Sequence, residues 1–240
     1  SFFDNSELES TSTPDGQEYE ILLEISNLIP DLVFNEVYEN PVGGSPQNMR
    51  RNLREAQKLL MDAGYTIVDG KLIDKNTNKP FVIEFLISQP DMERIITQFQ
   101  TNLKSIGIEV SIRLVDTAQY QLRMDQFDFD VVVATFPQSL SPGNEQRDYW
   151  GSEAADSEGS RNIIGVKDEA IDLLIDRIIF AETRAELIST TKALDRVLKW
   201  NYFVVPHYYS EGLRVARWNK FEYSDNLPDY NVNLFTWWSK

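Results

Sequence analysis

The stretch FDFDVVVATFPQSLSPGNEQRDYWGSEAADSEGSRNIIG, Phe127 to Gly165, starts as a strand and becomes a long polar loop. From Asp130 to Phe136 nearly every side chain is apolar and β-branched or aromatic, the pattern of a strand buried on both faces of a sheet, and Pro137 ends it. The remainder mixes proline, glycine, serine and charges of both signs; it is too polar for core and predicts a surface loop. Tyr149 and Trp150 within it argue for order, since disordered tracts are poor in aromatics. In open α/β sheets ligands bind beyond the carboxyl ends of the strands, so this loop is expected to line a ligand site. The competing reading is an ordered surface excursion pinned by Trp150.

Outward from there, regular elements are legible on both sides. Towards the N-terminus, FVIEFLI alternates Phe81, Ile83, Phe85 and Ile87 on one face, and IEVSIRLV alternates Ile108, Val110, Ile112 and Leu114. Between them, after Pro90, an apolar stripe of Ile95, Ile96, Phe99, Leu103 and Ile106 stops at Gly107. Asp116 is placed to cap a short helix through Met124. The order strand, helix, strand, helix, strand predicts an α/β layer with crossover connections. Further back, Asp69 and Gly70 mark a two-residue hairpin, and Leu53, Ala56, Leu60 and Ala63 a helix that ends at Gly64. Residues 1–16 read as a polar connection in which only Phe2 and Phe3 need burial, followed by a short helix and an extended approach to the breaker PVGGSP.

Towards the C-terminus, Ile171, Leu174, Ile175 and Ile178 predict a helix, and Thr183 with Glu186 a capping box for another reaching about Lys199. YFVVPHYY then reads as extended, with Pro206 confining it to an edge or a crossing segment. The tail beyond Ser210 is aromatic and irregular.

Composition narrows the function classes. The 240 residues carry a net charge of −15, which repels nucleic-acid phosphates and anionic membranes and keeps the chain soluble. No apolar run approaches the length of a membrane span, and cysteine is absent. His207, the single histidine, sits in an aromatic run with no G-x-S-x-G elbow anywhere, so it is expected to be a packed or partly exposed histidine, not a catalytic one. Asp128 and Asp130 share a strand face, but no loop of further oxygen ligands follows; the simpler reading is that one ends a turn and the other starts the strand. Neither SPGNEQ nor PVGGSP is a phosphate-binding loop. No catalytic residue, metal or cofactor is therefore expected.

A binding site has positive support. Ser139, Ser141, Asn144, Glu145, Gln146, Arg147, Trp150, Arg161 and Asn162 form an inventory of hydrogen-bonding and aromatic groups suited to peptide amides and carboxyls. Arg147 or Arg161 can hold a carboxylate bidentately, and Glu145 or Asp148 an amine. An internal Arg147–Asp148 pair is the alternative for those two residues.

The runs QSLSPGNEQRDYWGS, GSRNIIGVKDEAIDLLID, NMRRNLREAQKLLMDAGY and KALDRVLKWNYFVVPHYYSEGLRVARWNKF resemble the C-terminal part of the family 5 extracellular solute-binding proteins of ABC importers. The branch most resembled takes up oligopeptides and the peptide-nucleotide antibiotic microcin C. The resemblance implies one lobe of a type II periplasmic-binding-protein clamp, with a mixed sheet flanked by helices. Residues 1–46 would be an incoming segment from an upstream part, 47–204 an α/β ligand-binding lobe, and 205–240 a return to the other lobe. It further implies an exported, periplasmic, non-enzymatic receptor fragment that binds a peptide or peptide conjugate and serves a membrane permease. The general oligopeptide receptors of the family carry an acidic residue that pairs with the ligand amine; here that position falls within Gln138 to Ser141, where no acid stands, so Glu145 substitutes or the amine is held elsewhere. The alternatives are a stand-alone hydrolase using acids among Glu145, Asp148 and Asp156, and an α/β interaction domain.

Overall fold

The computed structural model describes residues 1–207, 214–226 and 232–240. Local chemistry accounts for the first elements. Ser45 Oγ accepts from Asn48 N at 3.1 Å and Pro46 takes the first helical position, so α3 (Pro46–Asp62) starts there, after the short helices α1 (Gly16–Glu24) and α2 (Leu32–Asn35). It stops before Gly64, whose φ of +99° is left-handed. The hairpin β1 (Tyr65–Val68) and β2 (Lys71–Asp74) turns on Asp69 and Gly70, both at positive φ, in the register Val68 opposite Lys71.

Three parallel strands follow, β3 (Val82–Ile87), β4 (Glu109–Leu114) and β5 (Val131–Val132), in the order β4-β3-β5. The crossovers are α4 (Asp91–Ser105) and α5 (Thr117–Asp125), the latter capped by Asp116, which accepts from Gln119 N at 2.9 Å. Phe85, Ile87 and Ile96 form the core between sheet and α4, while Leu72, Ile106 and Ile108 join the hairpin and α3 to the same layer. The antiparallel hairpin is a separate sheet from the three parallel strands and approaches them through an isolated bridge between Ile73 and Pro80.

The second layer is helical. α6 (Glu145–Trp150), α7 (Glu169–Ile179) and α8 (Arg184–Trp200) pack with α1 and α2 around Leu22, Trp150, Ile171, Leu174, Leu194 and Leu198. Thr183 Oγ1 accepts from Glu186 N at 3.2 Å, as the capping box predicts, but the Glu186 carboxylate reaches back to Glu182 N instead of Thr183 N. Beyond α8, a hairpin of β6 (Phe221–Tyr223) and β7 (Trp237–Ser239) is held by Tyr223–Trp237 stacking with Arg217 over both rings.

Four sequence expectations change. The run Asp130–Phe136 is not a doubly buried strand: only Val131 and Val132 pair, at the sheet edge beside Phe85 and Leu86. Asp130, just before the ladder, accepts from Glu84 N at 2.8 Å with its carboxylate and so caps the start of the pairing, which ends at Val132. The loop after Pro137 is not a polar surface excursion throughout; α6 drives Gln146, Tyr149 and Trp150 into the helical core. Residues 1–12 are not a bare connection, since Leu8 is fully buried and the Asp195 carboxylate on α8 accepts from Ser1 Oγ, Phe2 N, Ser10 N and Ser10 Oγ. The tail contains a hairpin. Of the extended run after α8, residues 203–207 form no assigned strand, and Tyr208, Tyr209 and the Ser210 boundary lie outside the described residues.

Candidate ligand-binding cleft

Between the two layers lies an open cleft of about 2070 Å³. Its sheet side comes from β3, α4 and β5 through Phe85, Met92, Phe99 and Val131, and its helical side from Leu198, Tyr202 and Phe203 with Phe2. The stretch Val133–Leu140, leaving the carboxyl end of β5, joins the two. The cleft runs along the β5 edge from Phe127, before the strand, and its part beyond Val132 is where a parallel sheet places a ligand. Val133, Ala134 and Thr135 are exposed and belong to no strand, because β5 ends at Val132 and the polypeptide turns towards the helical layer.

Several polar side chains that line the cleft are already engaged within the chain. Lys199 donates to Ser10 O at 2.6 Å and pairs with Asp195 at 3.2 Å. Lys167 pairs with Asp156. Burial pushes the Tyr38 phenol above its ordinary value, the neighbouring Tyr202 adding to the effect. Two aromatic residues lining the cleft, Phe127 and Tyr202, have left-handed backbones, at φ +56° and +54°.

Of the nine residues singled out from the sequence, Ser139 alone lines this cleft, its hydroxyl accepting from Ser141 N at 3.2 Å. The others do not share one surface. Trp150 is completely buried between Phe2 and Phe136, its ring 4.9 and 4.8 Å from theirs, and its indole N–H donates to Gln146 Oε1 at 3.1 Å. Gln146 in turn donates to Gln138 Oε1 at 2.7 Å. Asn162, also without exposure, staples the loop by donating to the Gly151 and Val166 carbonyls and accepting from Val166 N. Glu145 accepts from Gly143 N at 3.0 Å. Arg147 pairs with Asp176 of α7 at 2.7 Å, not with Asp148. Arg161 lies 4.1 Å over the Tyr149 ring and donates to its hydroxyl. Ser141 and Asn144 are exposed. Asp128 and Asp130 fill local roles, one pairing with Arg123 at 2.7 Å and the other capping Glu84 N. Among the described residues no group of His, Cys, Asp and Glu is placed to hold a metal ion, and no helix is long and apolar enough to cross a membrane.

The sequence reading missed the aromatic cleft wall. Phe85 and Phe99 look like ordinary core positions, and Tyr38 and Tyr202 stand in segments without periodicity. The one available signal was Tyr202 directly after a predicted helix end, where glycine is the usual residue.

Comparison with solved structures defines the class. Over 84% of its length the chain resembles 41% of the oligopeptide-binding protein AppA of Bacillus subtilis, solved with a nonapeptide (TM-score 0.56, 21% identity). Over 85% it resembles 40% of a periplasmic oligopeptide-binding protein of Thermotoga maritima with bound mannohexaose (TM-score 0.56, 17% identity). The architecture is one lobe of a type II periplasmic-binding-protein clamp. Residues 26–158 match the bacterial extracellular solute-binding proteins, family 5 middle region, and the chain belongs to that family. It is 45% identical over 240 residues to the probable peptide-binding protein YejA of Agrobacterium fabrum, covering 100% of this chain and 39% of that protein. It is 33% identical over 239 residues to the peptidoglycan-binding protein YepA of the same organism, covering 99% and 39%. The chain thus spans well under half the length of the curated relatives it matches.

Proposed function

We propose that this chain is part of the substrate-binding component of an ABC importer and that the cleft holds a peptide or peptide conjugate. The observation that carries the reading is the cleft itself. It runs along the β5 edge of a parallel sheet and on past the carboxyl end of that strand, has apolar and aromatic sides, and is joined along one edge by the exposed, ladder-free residues Val133–Thr135. Backbone donors and acceptors in such a stretch suit the amides of an extended peptide, and the flanking rings suit its side chains. The peptide-binding relative and the nonapeptide complex of the fold neighbour favour the same ligand class.

A hydrolase has less support. Glu145 is engaged with Gly143 N, Asp156 is paired with Lys167, and of Glu145, Asp148 and Asp156 only Asp156 lines the cleft, so the three do not converge on one reacting centre. In this reading the ligand is handed to a membrane permease, and the receptor works in the periplasm. The wider domain plan, a lobe over 47–204 with 205–240 returning to the other lobe, belongs to the same proposal. Ser139 is retained as a direct ligand contact. Gln146, Trp150 and Asn162 act by shaping the loop beside it, since their polar atoms are consumed internally. Titration calorimetry with mixed oligopeptides tests this on two proteins, this chain and the full-length receptor. The expected result is measurable binding by the full-length protein and weaker or no binding by the chain alone, because half the contacts of a closing clamp are absent. Equal affinity for both rules out a two-lobed site, and no binding by either rules out a peptide receptor.

A further inference from the structure

Tyr202 breaks the local rules at the end of α8. The helix stops at Trp200, Asn201 caps it, and Tyr202 has the left-handed φ of +54° that glycine adopts freely. A side chain with a Cβ is disfavoured there, and within this chain, which spans 39% of a relative's length, burial does not offset the strain, for Tyr202 is 65% exposed. Glycine in its place removes both the backbone strain and the exposed ring. The ring nevertheless has a defined setting. It meets Trp200 at 6.2 Å and 89° and Tyr38 at 5.9 Å and 52°, while Tyr38 packs edge-on against Trp200 at 5.4 Å and 88°. Tyr38 and Tyr202 both line the cleft. Lys199, the neighbouring cation, is already taken by Ser10 O and Asp195, so this corner offers ring faces in place of a free ammonium.

Left-handed, exposed and buttressed by two further rings, Tyr202 matches a position kept for contact and not for stability. A tyrosine presents a large rigid face at small entropic cost, and offset or edge-on contact with another ring adds to simple burial. We propose that Tyr202, oriented by Trp200 and Tyr38, is the stacking platform for an aromatic side chain of the ligand, and so sets a preference among peptides. This rests on the peptide-binding reading.

The test uses the full-length receptor with tetra-alanine and the four tetrapeptides in which one alanine is replaced by phenylalanine. At least one phenylalanine peptide should bind about two- to tenfold tighter than tetra-alanine, the range that aromatic pairs supply beyond burial. In Tyr202→Gly that preference should fall to near unity while Tm stays the same or rises; Tyr202→Phe should retain the preference. If all five peptides bind wild type equally, the platform is overturned and the receptor reading stands. If none binds, the receptor reading falls and takes the platform with it. If Tyr202→Gly keeps the preference, or lowers Tm, the ring is not a ligand contact but part of the fold.

Discussion

Asp195 is a carboxylate with no exposure, and its five partners explain how a charge survives there. Oδ1 accepts from Ser1 Oγ and Phe2 N, both at 2.9 Å, and Oδ2 from Ser10 N at 3.0 Å and Ser10 Oγ at 2.8 Å, with Lys199 at 3.2 Å. The next residue, Arg196, repeats the arrangement: 2% exposed, it pairs with Glu18 at 2.8 Å and donates to Ser12 O at 2.6 Å. Two adjacent charges on α8 thereby fasten residues 1–18. Removing one member of a buried charged set leaves its partners unpaired, so Asp195→Ala should cost about 3–5 kcal/mol. Urea denaturation measures that loss, and hydrogen exchange should show the Phe2 and Ser10 amides freed first. An unchanged urea midpoint shows that the segment is held by apolar packing alone. None of this was legible in the sequence, where Ser1–Gly16 is a polar run and Asp195 one acid on an amphipathic helix. Hydrogen bonds between groups more than 180 residues apart leave no local pattern.

Among the elements, α3, α4, α7, α8 and the β1–β2 hairpin were readable because their signals are local: a capping serine or threonine, a stripe at helical spacing, an Asp-Gly turn. β5 was not, because a strand's length depends on what lies opposite it, and beyond Val132 the run has no pairing partner. The polar site residues failed for a related cause. Composition cannot distinguish an amide that faces a ligand from one, like Asn162, turned inward to satisfy loop carbonyls. Gly107 joins two elements directly. Its φ is +90°, a Cβ there would lie 2.8 Å from Leu72 N, and Leu72 N donates to Gly107 O at 2.8 Å. Gly107→Ala should therefore destabilise by about 2–5 kcal/mol, combining left-handed strain with overpacking. Thermal unfolding followed by circular dichroism checks it; a shift no larger than that of a surface substitution means the hairpin moves aside freely.

At the scale of the molecule, the C-terminal hairpin is the exposed end. Trp218 is 78% exposed, Leu234 67% and Trp238 50%, and Phe235 is fully open. Apolar surface gathered in this way invites association. Sedimentation velocity on the chain alone should show concentration-dependent self-association, reduced by the double substitution Trp218→Ser and Phe235→Ser. A strictly monomeric chain at every concentration, with the hairpin amides as protected as the sheet, means these residues belong to a finished surface.

The fastening of residues 1–18 to α8 also sets an order of assembly. The α/β layer is contiguous, lying wholly between Pro46 and Val132, and can form from sequence already made. The helical layer cannot close until Asp195 and Arg196 have left the ribosome. Translation at about 5–20 residues per second then leaves Ile21 and Leu22 of α1 without their α8 partners for roughly 10–40 s. For that interval the earliest part of this chain is also its stickiest, and its solubility during synthesis depends on whatever shields those side chains.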